Sequence, residues 1–405
     1  MSTNEYPNTK YLIISVLKSY NFSSLKEVRK QFILNVLLCF LSIKGKINFL
    51  QLSRFSEHCE QYFRINFENK FNFQNFNLML VAGQKIKECI VAFDPSYIPK
   101  SGKQTFGIGR YWSGCAKQAK WGLDICGFAV VDVLQKTAFH LNAIQTPVLG
   151  NENLLDYYCR IIKENYLYFR EVSSYLVADA YFSKKKEVDT ILSLGMHFIS
   201  RLRDDAVLQY IYRGEPTGKK GRPKIFDGKV NPYNLNMDYF SEIVSTDELK
   251  VYSAIVYSKA FEREINLAVA VFYKNGEEIA RKLYFSTDLN MAGEKIVCYY
   301  RSRFQIEFIY RDAKQYGGLT HSQARSENKL NFHFNVALTA VNVAKIEWLN
   351  TRKSPDEQFS MSDYKTMYNN ELLLKTFIRR FGINPNTKKN KKIITELRNW
   401  GKIAA

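Results

Sequence analysis

None of the seven cysteines belongs to a CxxC pair; they stand apart at positions 39, 59, 89, 115, 126, 159 and 298. An odd, dispersed set argues against a disulfide framework and points to reduced thiols in a cytoplasmic protein. The five histidines (58, 140, 197, 321 and 333) form no HExxH or related spacing, and His58-Cys59 has no partner pair, which argues against a structural zinc. Long apolar runs are missing too. The longest, Phe32 to Ile43, contains Asn35 and is too short to cross a bilayer, so no membrane partner is expected. The opening Met1-Ser2-Thr3-Asn4-Glu5 lacks the basic-then-apolar layout of a secretory leader. Acid is outnumbered by base: 39 Asp and Glu stand against 58 Lys and Arg, a formal charge of +19. An excess of that size points to a polyanion, and nucleic acid is the commonest one.

What is present supports a large α/β protein. The chain has 405 residues, 46% of them apolar, enough for two or three domains with a substantial core. Residues 11–80 carry helical spacing, broken at Gly45, with short units from Phe49 to Phe55 and from His58 to Phe63. Short helices around a glycine turn fit a helix-turn-helix reader of DNA or a small supporting bundle. The Asn- and Phe-rich stretch 66–77 reads as a linker. From residue 86 the pattern changes. Ile86 to Phe93 reads as a strand ending at Asp94-Pro95, since proline stops ladder pairing. A Gly- and Lys-rich loop, 100–122, follows. Strands are expected at Ile125 to Val133 and Thr137 to Ala143, joined as a hairpin through Leu134-Gln135-Lys136. A helix over 152–171 leads to a strand, Ser174 to Ala178, that again ends in an acid, Asp179. A helix (Lys184 to Leu194) and a strand (His197 to Leu202) complete an α/β core. Residues 203–285 break this rhythm with strand-like runs and read as a mostly β insertion. Helical pattern returns at Met291 to about Tyr316 and at Asn328 to Leu349, and the tail from 353 reads as polar with short helices.

One stretch carries the chemistry: YYRSRFQIEFIYRDAK, residues 299–314. Without Pro or Gly it reads as a single helix. At about 100° per residue, Tyr300, Arg303, Glu307, Arg311 and Lys314 fall within about 80° of arc, with Ile306, Ile309 and Ala313 on the side that would be buried. An Arg303–Glu307 pair at i,i+4 commonly decorates a solvated helix. Two further acids give it another meaning. Asp94 and Asp179 each close an apolar strand of the same core, and catalytic groups of such sheets gather at strand ends. A helix packed across the sheet by its apolar face would bring Glu307 to both. Three carboxylates in a basic protein suit two hard divalent cations, magnesium or manganese, acting on a phosphodiester.

The spacing Tyr300-x2-Arg303-x3-Glu307-x6-Lys314, with VAFDPSYI around Asp94 and YLVADAYFSKK around Asp179, resembles the Tyr-Arg-Glu-Lys signature of DDE transposases of the insertion-sequence-four type. The resemblance covers roughly residues 86–350. It implies a ribonuclease-H-like catalytic core with a β insertion at 203–285, flanked by a helical DNA-binding domain at 1–80 and a basic helical segment at 351–405. It implies a triad of Asp94, Asp179 and Glu307 holding two Mg2+ ions, with Mn2+ as substitute. Tyr300, Arg303 and Lys314 would handle the DNA end, with Arg311 beside them. The reaction implied is cut-and-paste transposition of a bacterial element by a homodimer on double-stranded DNA. Ala180 departs from the glycine frequent after the second Asp in relatives. The rival expectations are a DNA-binding relic or regulator without catalysis, and a nuclease of the same fold without joining activity.

Other segments have weaker claims. GKKGRPK, 218–224, resembles an arm for an A·T-rich minor groove, and Lys219, Lys220, Arg222 and Lys224 are expected to touch phosphate. KSGKQTFGIGRYWSG, 100–114, fails as a phosphate-binding loop because Tyr97 stands where the first Gly belongs and Gln104 follows the Lys; it reads as a flexible basic loop over DNA. Asp288 reads as a helix cap, Asp124 as a turn residue, and His321 and Arg325 as candidates to line the site or as exposed loop.

Overall fold

The computed structural model describes residues 8–215 and 223–403. Five helices come first: α1 (Asn8–Leu17), α2 (Glu27–Ser42), α3 (Phe49–Arg54), α4 (Glu60–Asn66) and α5 (Phe73–Ala82). The sheet then builds from β1 (Cys89–Pro99), β2 (Gly109–Ser113), β3 (Gln118–Asp132) and β4 (Thr137–Gln145). Helix α6 (Leu154–Arg170), β5 (Tyr175–Val177), α7 (Lys185–Ser193) and β6 (His197–Arg201) complete the first half. Six strands follow: β7 (Leu208–Ile211), β8 (Phe226–Lys229), β9 (Ser241–Ser245), β10 (Leu249–Ser258), β11 (Arg263–Lys274) and β12 (Glu277–Ser286). The chain ends in α8 (Gly293–Ser302), α9 (Gln305–Gln315), α10 (Glu327–Thr351), α11 (Met361–Arg380) and α12 (Lys388–Arg398).

β1 and β3 pair antiparallel with β4 beyond them, whereas β5 and β6 run parallel to β1. This order, β4-β3-β1-β5-β6, is the ribonuclease-H-like arrangement, an α/β core as expected. The 203–285 segment is mostly β, and it extends the same sheet: β12 pairs with β6, and β11 and β10 continue outward.

Several elements differ from the sequence reading. β1 does not stop at Asp94-Pro95 but runs on to Pro99 against β3. Its other neighbour, β5, pairs only with Val91 and Ala92, so Pro95 needs no partner on that side. The 100–122 loop contains a hairpin, β2 with the start of β3. Stretch 66–77 is not a linker: α5 begins within it and buries Phe73, Phe76 and Asn77. Its mixture of aromatic and amide side chains looks loop-like in sequence, yet those of α5 pack on β4 and α10. The tail is not only short helices, since α11 has 20 residues and buries Tyr364, Met367 and Tyr368.

Helix α10 positions the rest. It is buried along most of its length and lies against β4, whose outer edge has no strand partner among the described residues. Amides stand in for the missing strand. Asn342 accepts from the His140 N–H (2.8 Å) and donates to its carbonyl (2.7 Å). Asn335 does the same for Ala143 (2.9 and 2.8 Å). Asn77 of α5 donates to Leu141, and Lys345 to Ala138, each at 3.0 Å. Buried backbone groups at a sheet edge are thereby satisfied. The N-terminal helices share one apolar core with the sheet through α10.

Candidate active site

The stretch 299–314 is two helices, not one. After Ser302 the bonding shortens: Ile306 N–H donates to Arg303 (3.1 Å) and Glu307 N–H to Phe304 (3.0 Å), both i to i−3. Such a step turns about 120° per residue rather than about 100°, so residues beyond the break rotate relative to a straight helix. Tyr300, Arg303, Glu307 and Lys314 still face the sheet. Arg311 is carried away from them; its guanidinium pairs with Asp312 (2.9 Å) and lies 4.7 Å over Phe308.

At the centre, Arg303 bridges two of the expected acids. One terminal nitrogen donates to Asp94 (3.1 Å) and the other to Glu307 (3.3 Å). Its remaining Nε is buried without a hydrogen-bond partner among the described residues. The Tyr300 ring lies 5.9 Å beneath the guanidinium and packs on Tyr284. Asp94 side-chain exposure is 18%, against 41% for Glu307. Burial pushes the Asp94 carboxyl up to about 7; Arg303 opposes the shift, and the nearby charges of Glu307, Asp179 and Asp124 add to it. Asp179 follows β5 and opens a 3₁₀ turn, Ala180–Phe182, where its Oδ1 accepts the Tyr181 N–H (2.9 Å). The alanine after it is accommodated in that turn.

Helix α9 is fixed on the strand by Tyr310 and Ser96, which the sequence reading missed, together with Lys314. The Tyr310 hydroxyl donates to the Asp94 carbonyl (2.6 Å), and Lys314 donates to Ser96 (2.9 Å). Burial lowers the Lys314 ammonium. Gly127 stands opposite Asp94 in the ladder, and a Cβ there would collide with the Tyr310 hydroxyl. Period-two alternation from Asp94 would have found Ser96; Gly127 and Tyr310 have no local signal. Arg201, ending β6, is also close enough for its charge to act on Tyr300. Asp124 is no turn residue. It lies within β3, buried, accepting from Thr146 (2.7 Å) and pushed up to about 6 by burial. Asp288 does not cap α8, which begins after Ala292; it accepts instead from Tyr175 (2.8 Å) and from the Asn290 N–H (3.0 Å). His321 Nδ1 accepts from the Ile47 N–H (3.0 Å), and His321 and Arg325 line a separate basic cavity of about 550 Å3. Lys219, Lys220 and Arg222 lie outside the described residues; Lys224 pairs with Asp227 and sits 4.6 Å over Tyr212.

No three His, Cys, Asp or Glu side chains form a ready cation cage among the described residues. The guanidinium of Arg303 fills the space between Asp94 and Glu307 as a built-in cation. The donors there are carboxylate oxygens, the chemistry hard divalent ions take.

A family model described as the transposase DDE domain matches residues 87–343, more than half of the chain. The protein belongs to this family, whose members act on DNA as transposases and generally use divalent metal ions. No curated protein matches the chain. Among the described residues no helix is long and apolar enough to cross a membrane.

Proposed function

We propose that the protein is a transposase of the insertion-sequence-four type that cuts the ends of a bacterial element and joins them to target DNA. The observation that carries this reading is Arg303 held between Asp94 and Glu307, because it unites a strand acid with a helix acid 213 positions away in sequence at one point of the surface. Asp94, Asp179 and Glu307 would hold two divalent ions, Mg2+ or Mn2+. When bound, such ions activate a water or 3′-hydroxyl and stabilise the leaving oxygen of a phosphodiester.

The chain's own groups do the rest. Arg303 leaves the acids for a scissile phosphate, presenting its unpartnered Nε with the terminal nitrogens as a fork. Tyr300 lies against that guanidinium and steadies it toward the phosphate. Lys314, tethered at Ser96, neutralises the adjoining phosphate. Arg311 and the Lys219, Lys220, Arg222 and Lys224 arm contact flanking backbone. The helices of residues 1–80 read element ends, the ribonuclease-H-like unit spans 86–350 and the basic segment 351–405 supports it, in a homodimer formed on DNA in the cytoplasm.

The test is nicking of a plasmid carrying the sequences that flank the gene, with Mg2+ or Mn2+. Wild type is expected to nick at the element ends. Glu307→Gln and Asp179→Ala are expected to bind the same DNA and to lose cutting by at least about a hundredfold. Full cutting by either variant overturns the triad. Binding without cutting by wild type, with either metal, favours a DNA-binding relic, and nicking without end joining favours a plain nuclease.

A further inference from the structure

The segment after β1 was read from the sequence as a loose basic loop, and what it folds into has a distinct chemistry. Residues 100–122 contain five Lys and Arg side chains and no Asp or Glu. Of these, Lys103, Arg110, Lys117 and Lys120 make no ion pair among the described residues. β2 pairs with the start of β3 so that Arg110 stands opposite Trp121 and Trp112 opposite Ala119. Directly paired residues share a face of the sheet. Arg110, Trp112, Ala119 and Trp121 therefore form one face.

Both indoles on it are exposed, Trp112 by 66% and Trp121 by 48%. Neither stacks on another ring among the described residues, so two large flat surfaces are offered to solvent next to unneutralised cations. Trp121 is held in place: its Nε1 donates to the Gly102 carbonyl (3.0 Å), and Tyr97 donates to the Trp121 carbonyl (2.7 Å).

The face belongs to the active-site side of the sheet. Along β3, Trp121 alternates in phase with Leu123, Ile125 and Gly127, and Gly127 is the residue opposite Asp94. The hairpin tip also returns toward the site, since Cys115 is close enough to Lys314 to act electrostatically on it. In front of the face lies a cavity of about 620 Å3, lined by Gly102, Lys103, Arg110, Gln118, Ala119 and Trp121. Gly102 and Lys103 also line the 550 Å3 basic cavity, and neither lining contains a carboxylate.

We infer that this hairpin is a stacking platform for unpaired nucleotides of a DNA strand, with Trp112 and Trp121 taking bases and Arg110 and Lys103 taking phosphates. Every base has a π-face, so the contact needs no particular sequence, and a trough of cations without acids tracks the backbone. A paired duplex hides its base faces and could use only the cations. The platform thus selects DNA that is opened near the cut. The inference rests on the transposase reading for its biological setting, but its test does not need catalysis.

The test is binding of fluorescently labelled oligothymidylate, and of a blunt duplex of unrelated sequence, by the full chain in EDTA. Trp112→Ala and Trp121→Ala are expected to weaken oligothymidylate binding about tenfold or more each while changing duplex binding less than about twofold. Trp121→Phe, which keeps an aromatic face, is expected to restore most of the loss, separating stacking from misfolding. Trp400→Ala, exposed elsewhere, is expected to change neither. Unchanged oligothymidylate binding, or an equal loss on both DNAs, overturns the platform. Because no metal is present, that result is independent of whether the wild type nicks the element ends.

Discussion

Asp94 shows how one residue carries opposing demands. Its folded value of about 7 lies well above the ordinary 3.8 because the carboxylate is buried, despite Arg303. Below pH about 4 the group is protonated in both folded and unfolded chains and contributes nothing. Between about 4 and 7 the unfolded chain releases the proton and the folded one keeps it, so stability falls as pH rises, then stays level. Asp94→Asn is therefore expected to stabilise the metal-free protein little at pH 4 and by up to about 4 kcal/mol at pH 8, read as a growing gain in Tm. A gain independent of pH would show that the burial is relieved some other way. Gly127 is the second test at this scale. Gly127→Ala drives Cβ into the Tyr310 hydroxyl and is expected to cost about 1–3 kcal/mol in denaturant unfolding. Tyr310→Phe in the same chain should recover part of that cost, although it also removes the bond to the Asp94 carbonyl.

Among the elements, the covered edge of β4 is the feature most open to test. An edge strand exposes unpaired amides that otherwise recruit another strand. Here Asn335 and Asn342 each present an amide in the orientation of a peptide and complete the ladder from a helix. Asn342→Leu removes the partner of both His140 backbone groups at a fully buried position. It is expected to cost about 3 kcal/mol or more, with faster amide exchange at His140 than at the paired residues of β3. The break between α8 and α9 is the other element-scale feature. It turns Arg311 out of the site, whereas a straight-helix projection keeps Arg311 beside Arg303.

At the scale of the whole molecule, the two ends of the chain meet at Glu347. This buried acid on α10 accepts hydrogen bonds from Thr9 of α1 and Tyr368 of α11, and pairs with Arg398 of α12 (2.9 Å). Arg398 also reaches Glu371 (3.3 Å). Removing one partner of a buried pair leaves the other charge without compensation. Arg398→Ala is expected to lower stability by about 3–5 kcal/mol and to loosen α1 and α12 together in hydrogen exchange, whereas Arg379→Ala, in an exposed pair with Glu57, should do neither. The net +19 belongs to this scale as well, since most of the excess sits in residues 1–90 and 351–405, and it fits a long polyanion.

Much of this was legible without coordinates. The alternation of apolar strands and helices from residue 86, the β content of 203–285 and the strand-end position of Asp179 are local properties, set by side-chain period and by where apolar runs stop. So is the spacing of Tyr300, Arg303, Glu307 and Lys314. What tertiary structure alone decided is every relation across the sheet. Stretch 66–77 lacks a clear apolar periodicity, and its second half opens α5 only because β4 and α10 offer it an apolar bed. Asp124 looked like a turn and is a buried strand acid because Tyr97 of β1 pairs with it on one side and the Thr146 N–H, just past β4, donates to its carbonyl on the other. The tail looked polar, yet α11 has a partner for its aromatic face in α2. Gly127 and Tyr310 meet because two segments far apart in sequence pack at one point, and no local pattern encodes that distance. A chain writes its periodicities in neighbouring residues, whereas contacts depend on which surfaces remain to be buried once those elements exist.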